Sequence, residues 1–416
     1  MAAALSDRPF GNFRQAIADP AYHFGRDDLL AKVERSPSQV YILLGGRRMG
    51  KTSLLYALKE RLLHPQISPY QVLPVLIDLR REQPDSLENL FYRLTIRLRE
   101  AMAQQVASHR PQRQKTVWGW LQRGFQWLRR LLQRLLRYFI GGKVSLGGIV
   151  ELELTKPGKV KRLSREEFEQ ELLGAIAKLR QQNIEGLCFL CDGAEFIVRQ
   201  DWANDTWSYF RWLKDMNTAI APFLGLVLSG YRDLKDYQQR VGSPLLNIAE
   251  VEWLGPLPDA ATRALIAHRS HTEHISLTRE EVEAILTWGG GHPYLTQQTL
   301  NTIFDGRRSG QTGSCESLLH GSIRERDRDF STWWDTDQRS YSFSATEQTV
   351  YEALRTQRQG TVETLAAPAQ LSIGETADAL EVLTGTGVVQ RFSEEQYKIG
   401  SQLFEQWVLQ ERRKMK

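Results

Sequence analysis

The feature that most constrains the fold is the junction inside VYILLGGRRMGKTSLLYALKE, residues 40–60. The apolar run 40–44 predicts a buried strand, and residues 51–63 predict a helix. Between them, Gly45–Thr52 fits the pattern G-x-x-x-x-G-K-[ST]. Glycines let a backbone curl so that its N–H groups converge on phosphate oxygens, and the helix points the positive end of its dipole at the same place. The junction therefore predicts a loop that binds phosphate groups.

The pattern also assigns roles to side chains. Lys51 is expected to reach the β- and γ-phosphates, and the Thr52 hydroxyl is expected to bind Mg²⁺. A carboxylate is needed at the end of another strand, where the segment GLCFLCD places Asp192. ATP or ADP with Mg²⁺ are therefore the predicted cofactors, and Thr52 and Asp192 are the predicted metal residues. The nucleotide-binding residues predicted from the loop are Gly45, Gly46, Arg47, Arg48, Met49, Gly50, Lys51, Thr52 and Ser53.

The residue after Asp192 bears on hydrolysis. P-loop ATPases that hydrolyse briskly often carry a glutamate there, which polarises the attacking water, whereas this chain has Gly193. The next carboxylate is Glu195, which either reaches the water because the strand end bends or is a surface residue. The predicted catalytic residues are Lys51, Asp192 and Glu195.

The order of apolar and helical segments predicts the fold class. Four further apolar segments lie at 70–79, 186–192, 224–230 and 248–255. They alternate with helical segments, which is typical of a parallel sheet covered on both faces. After Pro258 the pattern is purely helical. From Ser342, three helices followed by two short strands around a polar turn predict a winged helix.

Charge is concentrated in one part of the chain. The 416 residues are 41% hydrophobic and 25% charged, as in a soluble globular protein, and the net charge is +5. No acidic residue occurs between Glu100 and Glu151. Nine basic residues lie between them, namely Arg110, Arg113, Lys115, Arg123, Arg129, Arg130, Arg134, Arg137 and Lys143. The rest has 45 basic against 49 acidic residues, so the basic isoelectric point does not indicate a general affinity for nucleic acid.

Cysteine content and the absence of targeting signals bear on location. Three cysteines are too few for a disulfide framework, which favours a reducing cytosol. The N-terminus lacks the basic region and apolar core of a signal peptide, and no uncharged apolar run is long enough to span a bilayer. A cytoplasmic location is expected, with peripheral attachment to a membrane as the alternative.

The segment VWGWLQRGFQWLRRLLQRLLRYFI, residues 117–140, predicts a strongly amphipathic cationic helix rich in tryptophan. Three interpretations are open for it. It is a helix packed on the core with solvated arginines, an interface with a protein partner or a second copy of the chain, or a helix lying on an anionic membrane. Nucleic acid is a further candidate partner for the basic stretch 110–143.

Several segments in a fixed order carry a resemblance to a known family. They are HFGRDDLL, the loop with its two arginines and GKTSLL, FLCDGAEF, LVLSGYRDL, WLGPLPDAATRALI and WGGGHPYLTQQTL. This order resembles that of STAND-type ATPases, in particular the AAA-like group within the archaeal-ATPase branch. The C-terminal GSQLFEQWV is similar to the end of those proteins. The resemblance covers nearly the whole chain except about 106–160.

The resemblance implies roles at matching positions. Gly25 and Arg26 look like the motif that closes over the adenine side. Ser229 resembles the sensor residue that reports the γ-phosphate, and Arg232 resembles its associated arginine in a slightly displaced position. Pro293 looks like the lid proline that packs on the nucleotide. Family members typically carry Asp-Glu where this chain has Asp-Gly, which implies slow turnover.

The resemblance also implies a conformational switch. In such proteins ADP holds the core, a helical lid and the winged helix closed, and exchange for ATP releases them. The predicted fold is α/β: a P-loop parallel sheet covered by helices, followed by a helical lid and a C-terminal winged-helix domain. The predicted domains are the ATPase core at 1–257 with an insert at about 106–160, the lid at 258–310, and a linker with the winged helix at 311–416.

A winged helix after a P-loop core also fits DNA-binding ATPases of the origin-recognition kind. Here the third helix, near 372–383, carries Glu375, Asp378 and Glu381 and no Lys or Arg, so DNA phosphates would repel it. Internal regulation or protein contact is therefore favoured. The expected function is an ATP-binding, Mg²⁺-dependent regulatory switch with slow hydrolysis. The alternatives are a DNA-associated ATPase that remodels or loads DNA and a membrane-surface scaffold with structural nucleotide.

Overall fold

The computed structural model describes residues 16–19, 22–108, 144–146, 150–152, 161–241, 245–310, 314–334 and 342–415. The amphipathic helix predicted at 117–140 lies outside these residues, as does the whole basic stretch 110–143. The chain divides into two compact units, residues 1–83 with 179–416, and residues 84–178.

The described strands form three sheets. In chain order the strands are β1 (Val40–Leu44), β2 (Gln71–Asp78), β3 (Val144–Leu146), β4 (Val150–Leu152), β5 (Ile184–Asp192), β6 (Leu224–Gly230), β7 (Glu250–Trp253), β8 (Gln359–Gly360), β9 (Val389–Arg391) and β10 (Tyr397–Ile399). The main sheet is parallel throughout, with the order β2-β5-β6-β1-β7. The two smaller sheets, β8-β10-β9 and β3-β4, are antiparallel.

Helices make up most of the remaining described chain. They are α1 (Asp27–Arg35), α2 (Lys51–Leu63), α3 (Leu79–Glu82), α4 (Leu87–Ser108), α5 (Arg165–Arg180), α6 (Glu195–Val198), α7 (Ala203–Asp215), α8 (Arg232–Val241), α9 (Asp259–Thr272), α10 (Arg279–Gly289), α11 (Pro293–Arg308), α12 (Cys315–Gly321), α13 (Asp327–Trp334), α14 (Ala345–Gln357), α15 (Val362–Ala369), α16 (Ile373–Gly385) and α17 (Gln402–Met415). No helix among the described residues is both long enough and apolar enough to cross a membrane.

Burial of the main sheet explains why its strands read as continuous apolar runs. Every residue of β1 and β6 is buried, and so is every residue of β5 except Glu185. On one side, Leu54 and Leu58 of α2 share an apolar cluster with Tyr41 and Leu43 of β1. The predicted α/β fold class is confirmed.

The register brings the carboxyl ends of the central strands to one edge. Leu44, the last residue of β1, lies beside Gly230, the last residue of β6. In the neighbouring pair, Cys191 of β5 lies beside Leu228 of β6. Ligands of open parallel sheets bind at this edge, so the fold directs the loop after β1 and the end of β5 to a common place.

The helices after the sheet share one apolar core. We call α9–α11 the lid, and residues 342–415, with α14–α17 and β8–β10, the C-terminal region. One buried cluster contains Trp288 and Leu295 of the lid, Phe330 of α13, and Leu354 and Phe404 of the C-terminal region. In the C-terminal region, α14–α16 are followed by the hairpin β9–β10 and by α17, an order that agrees with the winged helix, which stays a prediction. The short strand β8, which pairs with β10, is an addition to that prediction.

The second unit holds α4 and most of α5. The rings of Phe91 and Phe168 stack with their centroids 4.6 Å apart. A capping box begins α5, because Ser164 N donates to Glu167 Oε2 at 2.7 Å and Glu167 N donates to Ser164 Oγ at 3.2 Å. These two hydrogen bonds fix the start of α5.

Candidate functional site

The loop between β1 and α2 is strongly curled. Gly50 has a φ of +90° and is the N-cap of α2, where only glycine is free of strain. Arg48 also has a positive φ, of +64°. The space that a Cβ on Gly50 would enter holds no atom within 4 Å. The loop is therefore curled, as the glycine pattern predicts, and there is free space beside Gly50.

Lys51 is buried against this loop. Its Nζ donates to the carbonyl oxygens of Gly45 at 2.6 Å and Gly46 at 2.8 Å. Burial lowers the pKa of Lys51 to about 8; Glu195 acts to raise it and Arg80 lowers it further. The buried ammonium group thus lies at the loop that is predicted to bind phosphate.

Three predicted residues form one hydrogen-bonded set at the edge of the sheet. Thr52 Oγ1 donates to Asp192 Oδ2, and Ser229 Oγ donates to Asp192 Oδ1, both at 2.6 Å. Ser229 is fully buried at the end of β6, and Asp192 ends β5. The two hydroxyls fix the orientation of the carboxylate and bring the predicted metal residues together.

Glu195 lies close to this set but is bound by a cation. Arg80 Nε donates to Glu195 Oε1 at 3.0 Å, and Arg80 Nη2 forms a second, shorter contact with the same oxygen. The arginine side chain passes over Gly193, where a Cβ would lie 2.6 Å from Arg80 Cγ. Glycine at this position thus makes room for Arg80. Of the two interpretations of Glu195, the surface residue is wrong, because the side chain is only 4% exposed.

Arg232, the first residue of α8, is bound to the C-terminal region. Its guanidinium donates to both carboxylate oxygens of Glu347, at 2.6 and 2.8 Å, and to Ser342 O at 3.1 Å. Burial opposes the charge of Arg232, but Glu347 outweighs it and the pKa of Arg232 is raised. The predicted sensor arginine is therefore the cation of an ion pair that joins α8 to α14.

The C-terminal region also contacts the loop itself. Gly46 N donates to Gly385 O, at the end of α16, at 2.9 Å. A Cβ on Gly46 would lie 2.8 Å from Thr386 Cα, so the backbones approach too closely for any other residue. Beyond it, a Cβ on Gly387 would lie 3.2 Å from the sulfur of Met49. Gly46 therefore serves the packing of two backbones.

Gly25 and Arg26 precede α1 and contact the segment around the start of the lid. Gly25 has a φ of +65°, and a Cβ there would lie 2.6 Å from a side chain in the first turn of α9. Arg26 Nη2 donates to Gly255 O at 2.5 Å, and burial lowers the pKa of Arg26 to about 10. Two residues further on, Leu257 N donates to Gly291 O at 2.8 Å. The structure thus brings Gly25 and Arg26 to the segment that holds the turn before α11.

Pro293 is half-buried as the first residue of α11. The N-cap is His292, whose Nδ1 accepts from Tyr294 N at 3.2 Å and whose ring stacks on Trp333 at 5.4 Å. Burial lowers the pKa of His292 to about 3, so its ring is neutral at pH 7. This arrangement agrees with a proline at the first helical position, and it packs the start of α11 against α13.

The other loop residues point in different directions. Arg47 is exposed, whereas Met49 is buried. Ser53 Oγ accepts from Ile17 N at 2.9 Å. Arg48 Nη1 donates to Asp329 of α13 at 2.9 Å. The pattern of the loop therefore predicted the backbone shape but could not tell which side chains face the phosphates.

Three residues of this site are not evident from the sequence: Arg80, Asp329 and Glu347. Each is a charged residue that meets its partner across more than 100 positions of chain. No motif contains them, and the only sequence signal is the short capping box that includes Glu347.

The loop and the strand ends fit a nucleoside phosphate with Mg²⁺. No side chain caps the N-terminus of α2, so its first N–H groups are available to an anion. Among the described residues, no group of three or more His, Cys, Asp and Glu side chains is placed to hold a metal. The hydroxyl of Thr52 and the carboxylate of Asp192 are oxygen ligands of the kind that Mg²⁺ takes together with phosphate oxygens and water.

Comparison with known proteins shows the fold alone. Neither a protein-family model nor a curated protein matches the chain. A Walker-type ATPase of Pyrococcus abyssi is similar in structure, with a TM-score of 0.55 and 16% identity over 96% of this chain and 99% of that one. The Orc1 protein of Aeropyrum pernix in complex with DNA has a TM-score of 0.41 and 14% identity over 94% of each chain. The Orc2 protein of the same organism, in its ADP form, has 0.45 and 12% over 97% of each. Of these three, the first exceeds one half and shows a shared P-loop ATPase fold.

Proposed function

We propose that this chain is an ATP-binding, Mg²⁺-dependent ATPase that hydrolyses slowly and acts as a nucleotide-controlled switch. The observation that carries the proposal is the ion pair between Arg232 and Glu347. It ties the strand end beside Ser229, the predicted γ-phosphate sensor, to the C-terminal region. An exchange of ADP for ATP at the sheet edge would then act directly on the packing of the C-terminal region.

The residues of the sheet edge bind and orient. The Lys51 ammonium would leave the carbonyls of Gly45 and Gly46 and neutralise phosphate charge. Thr52 and Asp192 would hold Mg²⁺, which shields the phosphates and makes the terminal phosphorus open to attack by water. Ser229 keeps the Asp192 carboxylate turned toward Thr52, as its 2.6 Å hydrogen bond indicates.

Slow hydrolysis follows from the state of Glu195. A carboxylate that is to accept a proton from water must be free to bind that water. Glu195 is buried and holds the guanidinium of Arg80, and Gly193 supplies no carboxylate closer to Asp192. The bound form is therefore long-lived, which suits a switch rather than a motor.

The switch rests on competition for Arg232. A γ-phosphate near Ser229 would attract the same guanidinium that Glu347 holds, and ADP would leave the ion pair intact. Lys235 of α8 adds a second link, because its Nζ contacts Asp378 at 3.2 Å and forms a shorter contact with Glu381. ATP is therefore expected to loosen the C-terminal region, and ADP to retain it.

The contacts of Lys235 also bear on the alternative function, that of a DNA-associated ATPase. Of the three acidic residues that would make α16 bind DNA poorly, two, Asp378 and Glu381, bind Lys235. The acidic face thus has an internal role, which supports regulation within the chain. Salt-dependent binding of a DNA duplex by the whole chain would instead favour the DNA-associated ATPase.

The test compares wild type with Lys51→Ala and Asp192→Asn. We expect wild type to bind fluorescent ATP and ADP in the presence of Mg²⁺, Lys51→Ala to lose binding, and Asp192→Asn to lose the dependence on Mg²⁺. Turnover should lie well below about 1 s⁻¹, the low end for enzymes. A wild type that binds neither nucleotide contradicts ATP binding, and rapid turnover contradicts the switch.

The conformational part is tested by limited proteolysis in saturating ADP or a slowly hydrolysed ATP analogue. We expect the loops that flank the C-terminal region to be cut faster with the ATP analogue. Identical cleavage with both nucleotides would show that the chain binds nucleotide without switching.

A further inference from the structure

Arg48 has an unusual backbone conformation for its residue type. Its φ of +64° lies in the left-handed region, where the Cβ of an L residue crowds its own carbonyl group. Glycine suffers no such penalty. Arg48 stands two positions before Gly50, in the turn whose N–H groups are to face phosphate. The loop conformation therefore needs a compensating interaction at this residue.

The side chain of Arg48 supplies one. Its Nη1 donates to Asp329 Oδ2 at 2.9 Å, and its guanidinium carbon lies 4.0 Å from the centre of the Tyr294 ring. Tyr294 Oη donates to the same Asp329 oxygen at 2.6 Å, and Gln298 Nε2 donates to Tyr294 Oη at 2.5 Å. The anchor therefore consists of residues from α11 and α13, neither of which belongs to the sheet.

We propose that Arg48 is a positioning residue, and that its anchor on Asp329 and Tyr294 holds the loop in the left-handed turn that phosphate binding needs. This inference rests on the proposed function, because it deepens the account of the same nucleotide site. It assigns Asp329 a part in nucleotide affinity although Asp329 lies outside the predicted site. The loop keeps its shape only while α11 and α13 are packed against it.

The test is a double-mutant cycle read out as the dissociation constant of fluorescent ATP with Mg²⁺. Asp329→Asn removes the charge that holds Arg48, and we expect about tenfold weaker binding, as for a lost hydrogen bond to a charged group. In the Arg48→Gly background the same Asp329→Asn change should have no further effect, because glycine needs no anchor. Arg48→Ala should bind about fivefold more weakly than Arg48→Gly, because alanine must adopt the left-handed conformation unaided.

Two further variants separate positioning from folding. Asp327→Asn changes a carboxylate on the same helix that accepts from Trp407 Nε1 at 2.9 Å and does not touch Arg48, so its affinity should match wild type. Tyr294→Phe removes one hydrogen bond from Asp329 and should weaken binding by about threefold. Circular dichroism and thermal unfolding of each variant establish that it is folded.

The outcomes are distinct. A cycle in which Asp329→Asn weakens binding only when Arg48 is present supports the proposal. Equal losses in both backgrounds, equal affinities of Arg48→Gly and Arg48→Ala, or an unaffected Asp329→Asn would overturn it while the proposed function stands. Absence of nucleotide binding in wild type would overturn both.

Discussion

The ion pair between Arg232 and Glu347 makes the switch testable with one change, Glu347→Gln. The pair is well shielded, with side chains 19% and 6% exposed, and both carboxylate oxygens are used. Glutamine keeps the shape and can still complete the capping box with Ser344, so α14 is expected to keep its start. The substitution therefore removes charge at the contact and little else.

The magnitude follows from the burial of the pair. Removing one partner of a fully buried pair costs about 3–5 kcal/mol. Because Arg232 is partly exposed and glutamine still accepts one hydrogen bond, we expect about 2 kcal/mol, in the range for hydrogen bonds to charged groups. At 1.4 kcal/mol per tenfold, that is a factor of about 30 in the equilibrium between docked and released C-terminal region.

The assay is the rate at which fluorescent ADP is released when excess unlabelled ADP is added. Glu347→Gln should release it about 30-fold faster than wild type if release requires undocking. Glu405→Gln is the matched control, because Glu405 pairs with Arg358 at 3.1 Å inside the C-terminal region, and Arg358 is 79% exposed. Release from Glu347→Gln at the wild-type rate, with a normal unfolding temperature, would refute the competition for Arg232.

Three further predictions concern the sheet edge. Phosphate should raise the pKa of Lys51 from about 8 in the free protein, so nucleotide affinity should be constant below pH 8. Above it, affinity should fall by up to about tenfold per pH unit as free Lys51 loses its proton; a flat titration from pH 7 to 9.5 would contradict this. Arg80→Ala should raise the ATPase rate several-fold by freeing Glu195, and a slower or unchanged rate would show that Arg80 holds no inhibitory contact. Gly46→Ala should lower stability by about 1–3 kcal/mol through overlap with α16, whereas Gly374→Ala, whose added Cβ meets no atom within 4 Å, should not; urea unfolding compares the two.

Sequence patterns could predict the backbone of the phosphate-binding loop because residues that are neighbours in the sequence form it. A buried apolar strand, a glycine turn and a helix are contiguous, so the loop from Gly45 to Thr52 could be predicted from spacing alone. Asp192 could be placed because parallel strands bring their carboxyl ends to one edge, whereas Ser229 was implied by the family resemblance. Once strands alternate with helices along the chain, the sheet is parallel and the position of that edge follows.

The ion pairs of the site could not be predicted from the sequence, and the reason is physical. Arg80 and Glu195 are 115 positions apart, and so are Arg232 and Glu347. Each pair depends on how one packed layer lies against another, and many exposed arginines and glutamates in the sequence have the same local surroundings. Arg48 illustrates the limit, since its place in the loop suggested phosphate contact, whereas its side chain binds Asp329.

The single apolar cluster that joins the lid, α13 and the C-terminal region has a mechanical consequence. Elements that share a continuous core cannot slide past one another without opening it, so they must travel together. The main-chain connection from the sheet to this body runs through Leu254 to Pro258, after the last strand of the sheet. Nucleotide exchange is therefore expected to rotate this body about a short pivot, in a movement that opens the ion pair between Arg232 and Glu347 and keeps Arg48 on Asp329. Two of the five connecting residues are prolines, which limits the directions in which this body can rotate.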